Sequence, residues 1–229
     1  MTSAKQLTFD LPHRDALGRE DFVVGQCNEE AVAVIDRWPD WPANRFLLLG
    51  PAGSGKSHLA AVWRTRSHAA HIRAADLAQS DISAALAKTA LLIEDGHSLG
   101  DERPLFHLLN GAAEARLDLL ITADRRPALW AITDPGLLTR LQSMPVVSLE
   151  APSYDVLGHV LKKLFSDRQL AVEDDVIAHL LVQMERSFEA ARRIVAALDS
   201  AALHSHRRIS KRLVNETLQS QNDAITPPA

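Results

Sequence analysis

The sequence lacks a second cysteine. Cys27 stands alone, so no internal disulfide can form, and a reducing cytoplasm is the expected setting. It lacks an apolar run long enough to cross a bilayer and an apolar core of signal-peptide length near its start, so no membrane partner is expected. It also lacks a surplus of positive charge. A formal net charge of -4 excludes a chain that grips bare nucleic acid mainly by charge. The 10 histidines are scattered, and no Cys/His spacing suggests a zinc site. What is present is ordinary for a globular chain: 229 residues, 46% hydrophobic and 24% charged, enough for one large domain or a core with a small second domain.

One stretch organises the rest. Phe46-Leu47-Leu48-Leu49 reads as a buried strand, and a helical pattern begins after Gly55 with His58-Leu59-Ala60-Ala61-Val62-Trp63. Between them, Gly50-Pro51-Ala52-Gly53-Ser54-Gly55-Lys56-Ser57 spells the phosphate-cradling G-x-x-x-x-G-K-S loop. Glycines let the backbone wrap a polyphosphate without side-chain collision, and the following helix offers its positive end. Lys56 is expected to neutralise phosphate charge, and the Ser57 hydroxyl to ligate Mg²⁺.

The remaining pattern alternates. Helices are expected at 28–38, with Asn28 as N-cap, at 76–88 and at 104–116, with short helical pieces at 127–130 and 134–141. Strands are expected at 69–74, 89–95, 117–124 and 146–149. Thr89-Ala90-Leu91-Leu92-Ile93-Glu94-Asp95 is an apolar run ending in two acids, which would lift carboxylates to the nucleotide edge of a parallel sheet. Thr122 and Asp124 end another strand at the same edge. Ala151-Pro152-Ser153 breaks the alternation, and only helical periodicity follows, at 154–168, 174–185, 187–205 and 210–219. The expected fold is α/β: a three-layer P-loop sandwich around a parallel sheet over 21–150, then a small all-helical lid over 151–221. Residues 222–229 read as a frayed tail, and 1–20 as a mobile one. In the latter, Gln6-Leu7-Thr8-Phe9-Asp10-Leu11-Pro12 sets apolar groups at alternate positions, as an edge strand or a linear docking peptide would. Arg207, Arg208, Lys211 and Arg212 form a basic cluster, read as a solvated helix face, with contact to DNA as the alternative.

In this order the pieces resemble the AAA+ ATPases, and within them the DnaA branch, over roughly residues 20 to 220. The resemblance implies that Phe22, Val23 and Val24 pack on an adenine, and that residues Gly50 to Ser57 with His58 hold ADP or ATP. It implies that Glu94 and Asp95 form the Walker B acids, with Ser57 and Glu94 serving Mg. Thr122 would be sensor 1, Arg186 sensor 2, and Arg140 the arginine finger that reaches a neighbouring subunit's γ-phosphate. The peptide around Gln6, Leu7, Phe9 and Leu11 closely resembles the motif that docks on the DNA polymerase III β sliding clamp. A full DnaA initiator would add an N-terminal domain and a DNA-reading C-terminal domain. The AAA+ core with a clamp peptide instead resembles the Hda group, the regulatory inactivators of DnaA. The implied partners are the DnaA AAA+ domain and the clamp, with DNA touched only indirectly; a homodimer is compatible. One departure bears on chemistry. The family's Walker B begins with Asp, whereas this chain has Glu94, a methylene longer. The expectation is a nucleotide binder with weak or no ATPase of its own that activates the ATPase of DnaA. A DnaC-type helicase loader and a passive clamp-tethered adaptor remain open.

Overall fold

A computed structural model describes residues 22–205 and 207–225, the side chains of 221–225 excepted. The peptide containing Gln6, Leu7, Phe9 and Leu11 lies outside the described residues. Five short strands, β1 (Arg45–Leu49), β2 (Ala70–Arg73), β3 (Ala90–Glu94), β4 (Asp118–Ala123) and β5 (Val146–Ser148), form one sheet in the order β2-β3-β4-β1-β5. Every pairing is parallel, and Leu47 aligns with both Ile121 and Val146.

Alternation along the strands divides the core into two layers. One strand face, with Leu47, Leu49, Leu91, Ile93, Leu119 and Ile121, packs under α3 (Ile82–Leu86), α4 (Glu102–Ala115) and α5 (Pro135–Gln142). The other, with Phe46, Leu48, Leu92, Leu120 and Val147, packs under α1 (Glu29–Arg37) and α2 (Lys56–Ser67). There Trp41 stacks on Trp63 with ring centroids 5.4 Å apart. The result is the expected three-layer α/β sandwich. Four helices follow: α6 (Tyr154–Asp167), α7 (Asp174–Gln183), α8 (Phe188–Ser205) and α9 (Lys211–Ile225). They close a third core of their own around Leu157, Leu161, Phe165, Leu180, Val195 and Leu198. Among the described residues, no helix is long and apolar enough to cross a membrane.

Several local expectations are corrected. The helix expected at 76–88 is two pieces: a 3₁₀ segment at Ala74–Gln79, then α3. Ser80 is extended, and the Asp81 carboxylate accepts the backbone N–H of Ala84, which starts a new helix instead of continuing the old one. Asn28 does precede α1, but its side chain does not cap it. Its Oδ1 accepts the N–H of Gly25 at 2.9 Å and its Nδ2 donates to the carbonyl of Val23 at 2.9 Å, bracing the segment ahead of the helix. The last helix runs to Ile225, six residues beyond the expected end at 219. The basic cluster is largely answered by acids: Arg207 and Arg212 both reach Glu216, at 3.1 and 2.7 Å, and Lys211 reaches Asp175 at 2.8 Å. That arrangement is a solvated, charge-balanced face, worth little in stability.

Candidate nucleotide site

The cleft is built at the carboxyl end of β1. The chain leaves the strand at Leu49 and turns through Gly50–Gly55 into α2. Gly53 has φ +71° and Gly55 φ +96°, left-handed values that L side chains rarely adopt. A Cβ on Gly53 would come 2.3 Å from the Cβ of Ser187, at the start of α8. The Phe188 N–H donates to the Gly53 carbonyl at 3.0 Å, so the loop and the helical bundle are joined directly.

Lys56 opens α2 and is buried. Its Nζ donates to the carbonyls of Gly50 (2.6 Å) and Pro51 (2.8 Å), folding the ammonium over the loop. Burial pushes its pKa below the usual lysine value, and only the fields of Asp124 and Asp95 act the other way. This is an ammonium short of counter-charge. The Ser54 hydroxyl is buried in the same turn without a hydrogen-bond partner. A left-handed glycine turn, an under-compensated lysine and an orphaned buried hydroxyl suit a polyphosphate.

A cleft of about 260 Å³ runs from this loop toward the helical bundle. Phe22, Val23, Gly53, Gly55, Lys56, Ser57 and His58 line one wall. Val160, Lys163, Leu164, Asp167 and Arg168 of α6 and its cap, with Phe188, Glu189 and Arg192 of α8, line the other. Phe22 meets His58 edge to face at 5.1 Å, and Arg192 Nη2 donates to His58 Nδ1 at 3.0 Å. Arg192 thus spans the two walls.

The remaining expected residues distribute as follows. Val24 is 47% exposed and outside the lining. Pro51 and Ala52 lie exposed on the turn. Thr122 is fully buried, and its hydroxyl accepts the N–H of Asp95 at 3.2 Å, pinning a corner where Asp95 has φ 56°. Glu94 ends β3 but is engaged by His71, Nε2 to Oε2 2.7 Å. Asp124 takes a two-point grip from Arg125 (2.8 and 3.1 Å), which with nearby His97 and Lys56 holds its carboxyl below the usual range. For Mg²⁺, no cluster of three or more His, Cys, Asp or Glu side chains exists among the described residues. A magnesium ion bound beside phosphates needs few protein ligands, and Ser57 is exposed at the cleft to serve as one.

Two arginines stand elsewhere. Arg186 donates to the Pro152 carbonyl at 3.2 Å and covers the Tyr154 ring at 5.0 Å. It is not among the cleft residues; Arg192, which the sequence reading passed over, is. A signal for it existed, because Phe188 and Arg192 are one helical turn apart and so share a face. Arg140 is exposed on α5, with Nε donating to Asn110 Oδ1 at 2.8 Å and the guanidinium over the Phe106 ring at 5.3 Å.

The parallel sheet with a phosphate-type loop after β1 and a helical bundle over the cleft defines an AAA+ fold. The structure of domain III of the Thermotoga maritima replication initiation protein DnaA superposes with a TM-score of 0.78 at 20% identity, covering 95% of this chain and 100% of that one. AMPPCP-bound DnaA from Aquifex aeolicus superposes at 0.73 with 19% identity, over 89% and 69%. In sequence, the chromosomal replication initiator protein DnaA of Treponema denticola is 26% identical over 200 residues, 75% of this chain and 43% of that protein. DnaA of Sphingopyxis alaskensis is 27% identical over 221 residues, 79% and 48%. No protein-family model matches. The chain spans about half the length of the curated relatives it matches. These likenesses show the fold of the DnaA structures and a sequence similarity to DnaA proteins.

Proposed function

We propose that this chain is a nucleotide-binding regulator of replication initiation that acts on DnaA by supplying an arginine finger in trans. Lys56, Ser54 and Ser57 would hold the phosphates of ADP or ATP, with Phe22 and Val23 beside the base and Arg192 reaching in from the helical bundle. A bound nucleotide supplies a charged bridge between the two walls of the cleft; Ser57 would share a Mg²⁺ with it. The same pieces form a complete binding site within the chain, whereas Arg140 contributes nothing to that site.

The observation that carries the reading is the setting of Arg140. The side chain is exposed and outside its own cleft, yet held by Asn110 and Phe106 in one orientation. An arginine pre-positioned on an outer surface is suited to a neighbour's phosphate, and a finger given in trans accelerates hydrolysis by about 10³–10⁵. The finer assignment, an Hda-type inactivator tethered to the β sliding clamp through Gln6, Leu7, Phe9 and Leu11, rests on the sequence resemblance. A passive adaptor would use the same core without needing Arg140, and a helicase loader would use it with an N-terminal segment that binds helicase instead of the clamp.

The test is the rate of ATP hydrolysis by DnaA with DNA-loaded clamp, with and without this protein. The expected result is a large acceleration that disappears in Arg140→Ala and in Phe9→Ala. An acceleration that survives Arg140→Ala removes the finger; clamp binding with no acceleration leaves the adaptor or loader.

A further inference from the structure

At the other end of the sheet from the cleft lies a hollow of about 250 Å³ that nothing above uses. It sits at the amino ends of β1 and β4, where Arg45 aligns with Leu119, and about 13 Å of strand separates Arg45 from Leu49. Buried Leu109, Ala112, Leu117 and Leu119 give it an apolar floor. Two guanidinium groups stand at the same hollow, those of half-buried Arg45 and exposed Arg116. Among the described residues neither has a hydrogen-bond or ion-pair partner. The nearby acids do not answer them. Asp118 precedes Leu119 on β4 and so points to the opposite face, where its carboxylate accepts Trp38 Nε1 at 2.9 Å and Asn44 Nδ2 at 2.8 Å. Glu114 lies two residues before Arg116, a spacing at which helical side chains do not face each other.

We propose that this hollow is a docking site for an acidic peptide of a partner protein, one that seats a large apolar side chain on the floor and a neighbouring carboxylate between Arg45 and Arg116. Charge complementarity selects the occupant. A purely apolar ligand would desolvate two guanidinium groups and leave them without acceptors, and a basic one would be repelled. A carboxylate beside an apolar anchor satisfies the floor and the rim together. Arginine suits the task, because its planar fork grips a carboxylate at two points and is weakly hydrated. The site is independent of the nucleotide reading, since it shares no residue with the cleft.

The test is fluorescence polarisation of the full chain with a fluorescein-labelled peptide, Gly-Ser-Phe-Asp-Glu-Ser-Gly, at low salt. Saturable binding is expected. Replacing the peptide's Phe with Ala should weaken it by about tenfold or more, the loss of a buried aromatic group. Arg45→Ala and Arg116→Ala should each weaken it by about tenfold. Arg45→Lys and Arg116→Lys should fall between, because an ammonium keeps the charge and loses the fork. Melting curves check that each variant folds. The double variant Arg45→Glu, Arg116→Glu should reject this peptide and accept one with Lys in place of both acids. No saturable binding, equal binding of the Phe and Ala peptides, or binding unmoved in both alanine variants overturns the proposal. So does a dimer, seen by sedimentation, that either alanine variant breaks, because the hollow then belongs to a second copy of this chain.

Discussion

The cleft beside Lys56 and the outer face of α5 both present cationic side chains, and they hold them in opposite ways. In the cleft the charge is buried, its pKa is lowered, and its nearest partners are two backbone carbonyls. The geometry is written into the main chain through left-handed glycines. On α5, Arg140 remains in solvent and is steered by one amide and one aromatic ring. A buried, under-compensated charge stores binding energy for a ligand that comes to it. An exposed, oriented charge costs little to maintain and suits a surface that is offered to a partner.

Substitutions can sharpen or break that contrast. The largest effect is expected for Lys56→Ala, which should weaken ADP binding by about a hundredfold, the loss of a charge-assisted contact in a desolvated site. Calorimetric titration reads it directly; a loss under fivefold would mean that the loop is not the phosphate site. Next comes the pair of arginines around the start of α8. Arg192→Ala should cost about tenfold in ADP affinity and Arg186→Ala less than about twofold, because only the former lines the cleft. The reverse order would restore Arg186 to the site. Smaller still, Arg140→Ala should leave ADP affinity unchanged and shift unfolding by no more than about 0.5 kcal/mol, as for other exposed positions. Denaturant melts would expose any hidden structural role.

The smallest effect concerns the support under α5. Glu102 accepts the backbone N–H groups of Asp134 (2.9 Å) and Thr133 (2.7 Å), and these hold its carboxyl below the usual range. A depressed carboxylate stabilises the fold above its unfolded pKa, and that contribution disappears as pH falls through the folded value. Glu102→Ala should therefore melt slightly below the wild type at neutral pH, with the two curves converging in acid. A gap that widens on acidification would contradict the assignment.

What the sequence disclosed tracks how local the cause is. The loop from Gly50 to Ser57 and the buried strands were readable because each is specified by neighbours in the chain: glycines at the turn, and apolar runs of strand length. The opposite wall was not, because Val160, Lys163 and Arg168 reach the cleft only through packing of α6 against α8, which no short motif encodes. Arg186, which the resemblance singled out, lies outside the cleft lining, whereas Arg192, six positions on, lies within it. The break at Ser80–Asp81 is readable in principle, since an Asp ahead of Ile82 is a helix-start signal, but the apolar Leu77, Ile82 and Leu86 also fit one continuous helix over 76–88. The His71–Glu94 contact had no signal at all, because it depends on strand register.

The hydrogen bond from Phe188 to the Gly53 carbonyl, with Ser187 packed where a Cβ on Gly53 would fall, has a thermodynamic corollary. The loop and the helical bundle touch directly there, so a state of the loop that keeps this contact is also a state of the bundle. Linkage is reciprocal: a protein that grips the bundle and prefers one of those states must change nucleotide affinity by the same factor by which the nucleotide changes its own. Residence time of the nucleotide then becomes something a partner can set without touching the cleft.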